Sequence, residues 1–462
     1  MSNKKNRGRK RSPRLSNAAE VAQPPEPSYE LASGEGLEIP VLDSDEVVRL
    51  MAHFFKSQQE ILRLARYLNE RASEIDDEHA RARKAVARIY PLSTDEGFDV
   101  VWLAVDSALE KSRALGLGDP EPSQDDIDEM TRAVQVMFES VPEGHGPNYV
   151  SAILDSRSRN GSAPVLMSSL LTTLISDFEV LVAGLAKELL NRHPGALSDS
   201  EKPYTWAEVS AYSSIEDFRS FVIDRHVDDL LYKSFPDYLT FFKDKFHCEV
   251  PASAGLPQVL EIFQRRHVIV HSGGLVSRQY LAKVKSSSAA IGDTLDVDLE
   301  YLSTAADHLV TIGLALGSNA ARQLFRRAEG DRDRLEADAG NYAFRLLQEE
   351  RWLAAKTLTE ELKIDSFHRS GLALVAKVNG WIARKHLGEM ESCRPEIERW
   401  DTEPLESRFK LAKLALLGEM QAGLELVQQI RGTMSLPFEY WLSWPLLAEL
   451  REYEQAQGRA GR

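Results

Sequence analysis

Leu171, Leu174, Ile175, Phe178, Leu181, Val182, Leu185 and Leu189 follow one another at steps of one, three and four residues, mostly three, with no Gly or Pro breaking the core of the run except Gly184. On a helix this spacing gathers all eight on one stripe, whereas on a strand it scatters them over both faces. A helix of roughly 25 residues that stops near Pro194 is therefore expected. The same period marks "DEVVRLMAHFFKSQQEILRLARYLNERA" and "DVDLEYLSTAADHLVTIGLALGSNAARQLF". Strand-like alternation is nearly absent, and the fold class that follows is all-α. Asp177 and Glu179 interrupt the most apolar stretch, "MSSLLTTLISDFEVLVAGLA", so it reads as a core helix and no membrane partner is expected.

Changes in composition divide the chain into four parts. Residues 1–40 join a basic run to the Pro/Gly-rich "AQPPEPSYELASGEG" and read as a disordered tail. Residues 41–148 read as an N-terminal helical domain, with "FDVVWLAVDSALEKSRALGLG" and "SQDDIDEMTRAVQVMFES" as further helices. The interval "VPEGHGPNYVSAILDSRSRNGSAP" supplies the boundary, and residues 149–328 then read as a helical bundle. Within it, Ser214 with Asp217 marks a capped start, Pro236 and Pro257 open two further helices, and "SRQYLAKV" is a short one. Past the charged hinge "RRAEGDRDRLEADAG", residues 329–462 repeat Leu-Gly-Glu-Met at 387–390 and 417–420, each time leading into a helix. That pattern is a degenerate array of helical hairpins similar to tetratricopeptide repeats, and such arrays take a protein partner.

The first 14 residues hold seven Lys/Arg and no acid, which leaves 49 bases against 71 acids, a net −22, for the rest of the chain. So acidic a body excludes a protein that coats nucleic acid with its whole surface, and confines any RNA site to a local patch. Two cysteines, Cys248 and Cys393, are too few for a disulfide framework or a cysteine-based zinc site. A cytoplasmic location fits this usage.

The segment "RRHVIVHSGG" (265–274) carries the candidate chemistry. The two glycines after Ser272 are a helix stop, so His271 falls in the last turn, where the helix dipole favours a protonated imidazole. His267 and His271 are four apart and share a face; Arg266 and His271 are five apart, about 140° around the axis. One straight helix does not close all three on one phosphate. Either it distorts at Ser272-Gly273-Gly274, or a second copy of the chain completes the site. Val268 stands where a zinc protease helix of the H-E-x-x-H type needs Glu. His267 and His271 as two ligands of a metal, and a purely structural helix end, are the remaining readings of these residues.

Glu261 to Gly274, followed by "SRQYL", resembles the signature helix of the HEPN superfamily, whose motif is Arg, a polar residue, a few mostly apolar positions, then His. Arg266, His267 and His271 match it position by position, with His267 in the slot where Asn or Asp is common. The resemblance covers residues 150–330 and includes an acid, Glu179, on the long first helix. It implies a metal-independent endoribonuclease that needs no cofactor, works on RNA as a homodimer with a composite site, and serves toxin–antitoxin or phage-defence biology. Under it, Arg266 stabilises the phosphate, His271 transfers protons and His267 orients them. Arg265 holds the RNA backbone, and Glu179 and Ser272 support the site. The same resemblance also admits a non-catalytic scaffold that binds nucleotide, RNA or a partner protein.

Overall fold

The computed structural model describes residues 46–71, 77–89, 95–114, 128, 135, 146–157, 162–197, 203–250, 255–285, 288–324, 329–361 and 369–460. The basic tail over 1–40 and most of the helix expected over 123–140 lie outside the described residues. The fold is all-α: no strand forms among the described residues, and pairing is limited to isolated bridges such as Leu275 with Thr294.

Helix α1 is Glu46–Glu70. Helices α2 (Glu78–Ile89), α3 (Asp95–Ala114) and α4 (Gly146–Arg157) share a small core of their own, built on Val86, Phe98, Val101, Tyr149 and Ile153. The bundle proper contains α5 (Ser162–Arg192), α6 (Trp206–Ser210), α7 (Ile215–Leu231), α8 (Phe235–Phe246), α9 (Leu256–Ser272), α10 (Arg278–Lys283) and α11 (Leu299–Leu324). The hairpin region follows as α12 (Glu329–Gln348), α13 (Trp352–Glu361), α14 (Ser370–His386), α15 (Met390–Arg399), α16 (Ser407–Leu417), α17 (Met420–Ile430), α18 (Phe438–Ser443) and α19 (Ala448–Ala460).

The expected stripe on α5 is buried along its length, from Leu171 to Leu189. It is covered by α1, α7 and α11, with α9 packed alongside. This is the one helix among the described residues long and apolar enough to cross a membrane, and its apolar stripe lies in the core of the bundle. Its interrupting acid Asp177 accepts a hydrogen bond from Gln58 Nε2 at 2.8 Å, and the same amide donates to Leu174 O at 3.0 Å. Burial pushes the Asp177 carboxyl up, and Gln58 draws it back in part.

Helix α1 is the main departure from the expected division. It packs most extensively on α5 and α11, inside the bundle, and not with α2–α4 as a domain ending at 148 implied. Three glycines make the approach close. A methyl group on Gly184, Gly313 or Gly317 would meet Leu50 at 2.7 Å, Phe54 at 2.5 Å or Met51 at 2.7 Å. The boundary interval over 141–164 also contains α4, because Tyr149, Ala152 and Ile153 form a short apolar face within it. Likewise the charged hinge is helical from Glu329, since Ala339, Tyr342, Ala343, Leu346 and Leu347 recur at helical spacing and are buried.

Both Leu-Gly-Glu-Met tetrapeptides sit at hairpin turns, between α14 and α15 and between α16 and α17. Gly388 and Gly418 hold φ of +74° and +78°, the left-handed conformation that ends a helix. A methyl group at either position meets nothing within 4 Å, so the cost of a side chain there is backbone strain alone. Gly388→Ala and Gly418→Ala should each cost about 1 kcal/mol, read as a lower urea midpoint with an unchanged slope. The hairpin region is tied to the bundle by buried Arg351, whose Nε donates to Asp307 of α11 at 2.5 Å.

Candidate functional site

Helix α9 runs without interruption from Leu256 to Ser272 and stops on Gly273 and Gly274, both at positive φ. The Gly274 N–H bonds to Val268 O at 3.2 Å, which closes the last turn as a glycine C-cap does. His271 is in that turn, as the sequence indicates. Buried Val259, Ile262, Phe263 and Val268 hold one side of α9 to the bundle. Phe263 stacks on Phe235 at 5.3 Å and meets Phe178 edge-on at 6.0 Å, and Phe178 also meets Phe54 of α1 at 6.1 Å. These rings fix the neighbours of two candidate residues: Phe178 precedes Glu179, and Phe263 stands one turn before Arg266.

Arg266 and Glu179, 87 residues apart, are in contact. An Arg266 Nη donates to Glu179 Oε1 at 2.6 Å, with 28% and 24% of the two side chains exposed, so the pair is half-sheltered yet reachable from solvent. Burial pushes the Glu179 carboxyl up, and the Arg266 charge offsets this only in part. Tyr238 lies beside the same carboxylate, donates to Leu231 O at 3.0 Å, and is pushed up to about 12 by burial and by Glu179. Arg266 Nε is buried with no hydrogen-bond partner. Glu179 therefore holds one part of the guanidinium, and the Nε–H is left without an acceptor among the described residues.

His267 and His271 are exposed and adjacent, their ring centroids 4.6 Å apart at 51°. Partial burial, then the positive fields of His271, Lys283 and Arg266, push His267 below the ordinary histidine value. The neutral form of the His267 ring is thereby favoured, with one nitrogen able to accept a proton. No group of three His, Cys, Asp or Glu that could hold a metal forms among the described residues, so the two imidazoles lack a third ligand there. Ser272 is exposed at the helix end, and Val270 and Leu275 beside it are 53% and 51% exposed. The helix does not distort at Ser272, so the α9 end of a single chain keeps Arg266 against Glu179 and the two histidines at the surface.

Arg265, expected on the RNA backbone, has partners within the fold. Its Nε donates to Glu261 at 2.8 Å, its Nη1 donates to Asp296 O at 2.6 Å, and its guanidinium carbon lies 3.9 Å from the Tyr301 ring centroid. Glu261 also accepts from the hydroxyls of Tyr280 and Tyr301, at 2.8 and 2.6 Å. Glu261 thus links the cluster to α10, and Arg265 joins α9 to α11 and to the segment before it. Its truncation should cost about 2 kcal/mol, because Glu261 loses its charged partner. Chemical unfolding of Arg265→Ala, beside Arg265→Lys as the charge-keeping control, measures that cost. Tyr238 is the neighbour of the site that the sequence did not indicate, since nothing in its spacing relates it to Glu179.

Comparison with models of protein families, with curated proteins and with solved structures finds no match to this chain.

Proposed function

We propose that the chain is an endoribonuclease of HEPN type that cleaves RNA without a metal, as a homodimer whose two α9 ends face one another. The observation that carries this reading is the Arg266–Glu179 pair beside two exposed histidines on the same helix end. The 2′-hydroxyl next to the scissile phosphate is the nucleophile. His271 takes its proton, the 2′-oxygen bonds to phosphorus, and the bond to the 5′-oxygen breaks. That oxygen leaves with a proton from an imidazolium, and a 2′,3′-cyclic phosphate remains. Arg266 meets the negative charge that builds on the phosphoryl oxygens, a task suited to its planar fork. His267, its neutral form favoured, orients His271 or the phosphate.

A second copy follows from the geometry of one helix. Arg266 and His271 point about 140° apart on a regular helix, so one phosphate meets both kinds of group when two helix ends converge on it. Exposed Val270 and Leu275 give that convergence an apolar margin. In this reading the protein acts in the cytoplasm in toxin or phage defence, and the hairpins of α12–α19 dock a partner protein. Product-end analysis tests the chemistry. RNA fragments should carry 2′,3′-cyclic phosphates, and RNA with every 2′-hydroxyl methylated should stay intact. Ends bearing 5′-phosphate and 3′-hydroxyl would overturn the assignment of His271.

A further inference from the structure

From Ile262 to Gly292 the chain has no Asp or Glu, in a protein whose acids outnumber its bases by 15. The same interval holds Arg265, Arg266, Arg278, Lys283 and Lys285. The first two are engaged by Glu261 and Glu179. The other three are exposed, and none of them makes an ion pair among the described residues. Asp293, the first acid after the interval, accepts from the Ala290 N–H at 2.7 Å.

These cations stand on a built platform. Val268 of α9 shares a buried cluster with Val276, Tyr280, Val284 and Leu295, which fastens α10 to the end of α9. Ser277 caps α10 by accepting the Tyr280 N–H at 3.2 Å, and the Tyr280 hydroxyl donates to Glu261. Backbone bonds from Val276 N to Asp293 O and from Leu295 N to Gly274 O, at 2.8 and 2.9 Å, hold the flanking segments. Lys283 is near enough to His267 for its charge to act on that ring. The exposed positions of α10 are Arg278, Gln279, Ala282 and Lys283, with no large apolar side chain to anchor a protein.

We infer that Arg278, Lys283 and Lys285 bind the phosphate backbone of a single-stranded RNA extending from the α9 site. The inference rests on the ribonuclease reading only in taking the polyanion to be RNA. Phosphate contacts of this kind position a strand without reading its bases, and each adds to the salt dependence of binding.

The test is anisotropy of a short fluorescent 2′-O-methyl RNA, which cannot be cleaved through its 2′-oxygen, titrated with full-length protein between about 50 and 200 mM salt. The variant Arg278→Gln/Lys283→Gln/Lys285→Gln should bind roughly tenfold more weakly at the lower salt. Its plot of log affinity against log salt should be shallower by about 2, at ~0.7 per lost contact. The charge-keeping Lys283→Arg should bind as wild type. Equal affinity and slope in the folded triple variant, no binding by wild type, or a polyglutamate peptide bound more tightly through these three residues would each overturn the inference. Binding that depends on α10 without cleavage of native RNA removes the ribonuclease reading alone; cleavage with no dependence on α10 removes this one alone.

Discussion

His271→Ala should lower the rate of the proposed RNA cleavage by about a thousandfold and leave the unfolding midpoint unchanged. The expected rate effect follows from removing the group proposed to move the proton, which contributes typically about 10²–10⁴. Stability is spared because the ring is exposed and its removal opens no cavity. Arg266→Ala should cause a loss of similar size, about 10²–10³ for a missing charge stabiliser, and also strips half-buried Glu179 of its cation. Burial already pushes that carboxyl up, and without Arg266 it is pushed up further. Arg266→Lys separates charge from shape: it keeps the positive charge beside Glu179 but cannot present a planar fork, so it should fold as wild type and cleave poorly. Single-turnover rates together with urea melts on the three variants measure both sides.

Gly313→Val should destabilise the bundle by about 3 kcal/mol or prevent its folding. A Cβ there meets Phe54 Cε1 at 2.5 Å and Leu181 Cδ2 at 3.0 Å, and Phe54 has no room to yield because it is buried against Phe178. Overpacking a filled core costs typically about 1–3 kcal/mol, and a β-branched side chain brings two further methyl groups into the same space. Gly340→Ala in α12 is the control, because its Cβ meets nothing within 4 Å and Ala is the better helix former. It should gain about 0.5–1 kcal/mol. If Gly313→Val were as stable as wild type, α1 would not be seated between α5 and α11, and the bundle would begin at α5.

The stripe on α5, the cap at Ser214, the helix stop after Ser272 and the hairpin turns at Gly388 and Gly418 are local, and each was legible from spacing or turn chemistry. The seat of α1 was not. Its apolar face shows that something covers it, but Gly184, Gly313 and Gly317 acquire meaning only once Leu50, Phe54 and Met51 are opposite them. The site divides in the same way. Arg266, His267 and His271 stand on one short stretch and were legible together, whereas the contact between Arg266 and Glu179 spans two helices. The partners of Arg265 were not legible because Asp296 O and the Tyr301 ring arrive from the segment before α11 and from α11 itself.

The most direct measurement of the central claim is cleavage of mixed tRNA and messenger RNA by purified full-length protein in excess EDTA, with His271→Ala and Arg266→Lys run alongside. The account predicts cleavage by wild type that persists in EDTA and is lost in both variants while each remains folded. Intact RNA after incubation with folded, dimeric wild type, or equal cleavage by all three proteins, would contradict it.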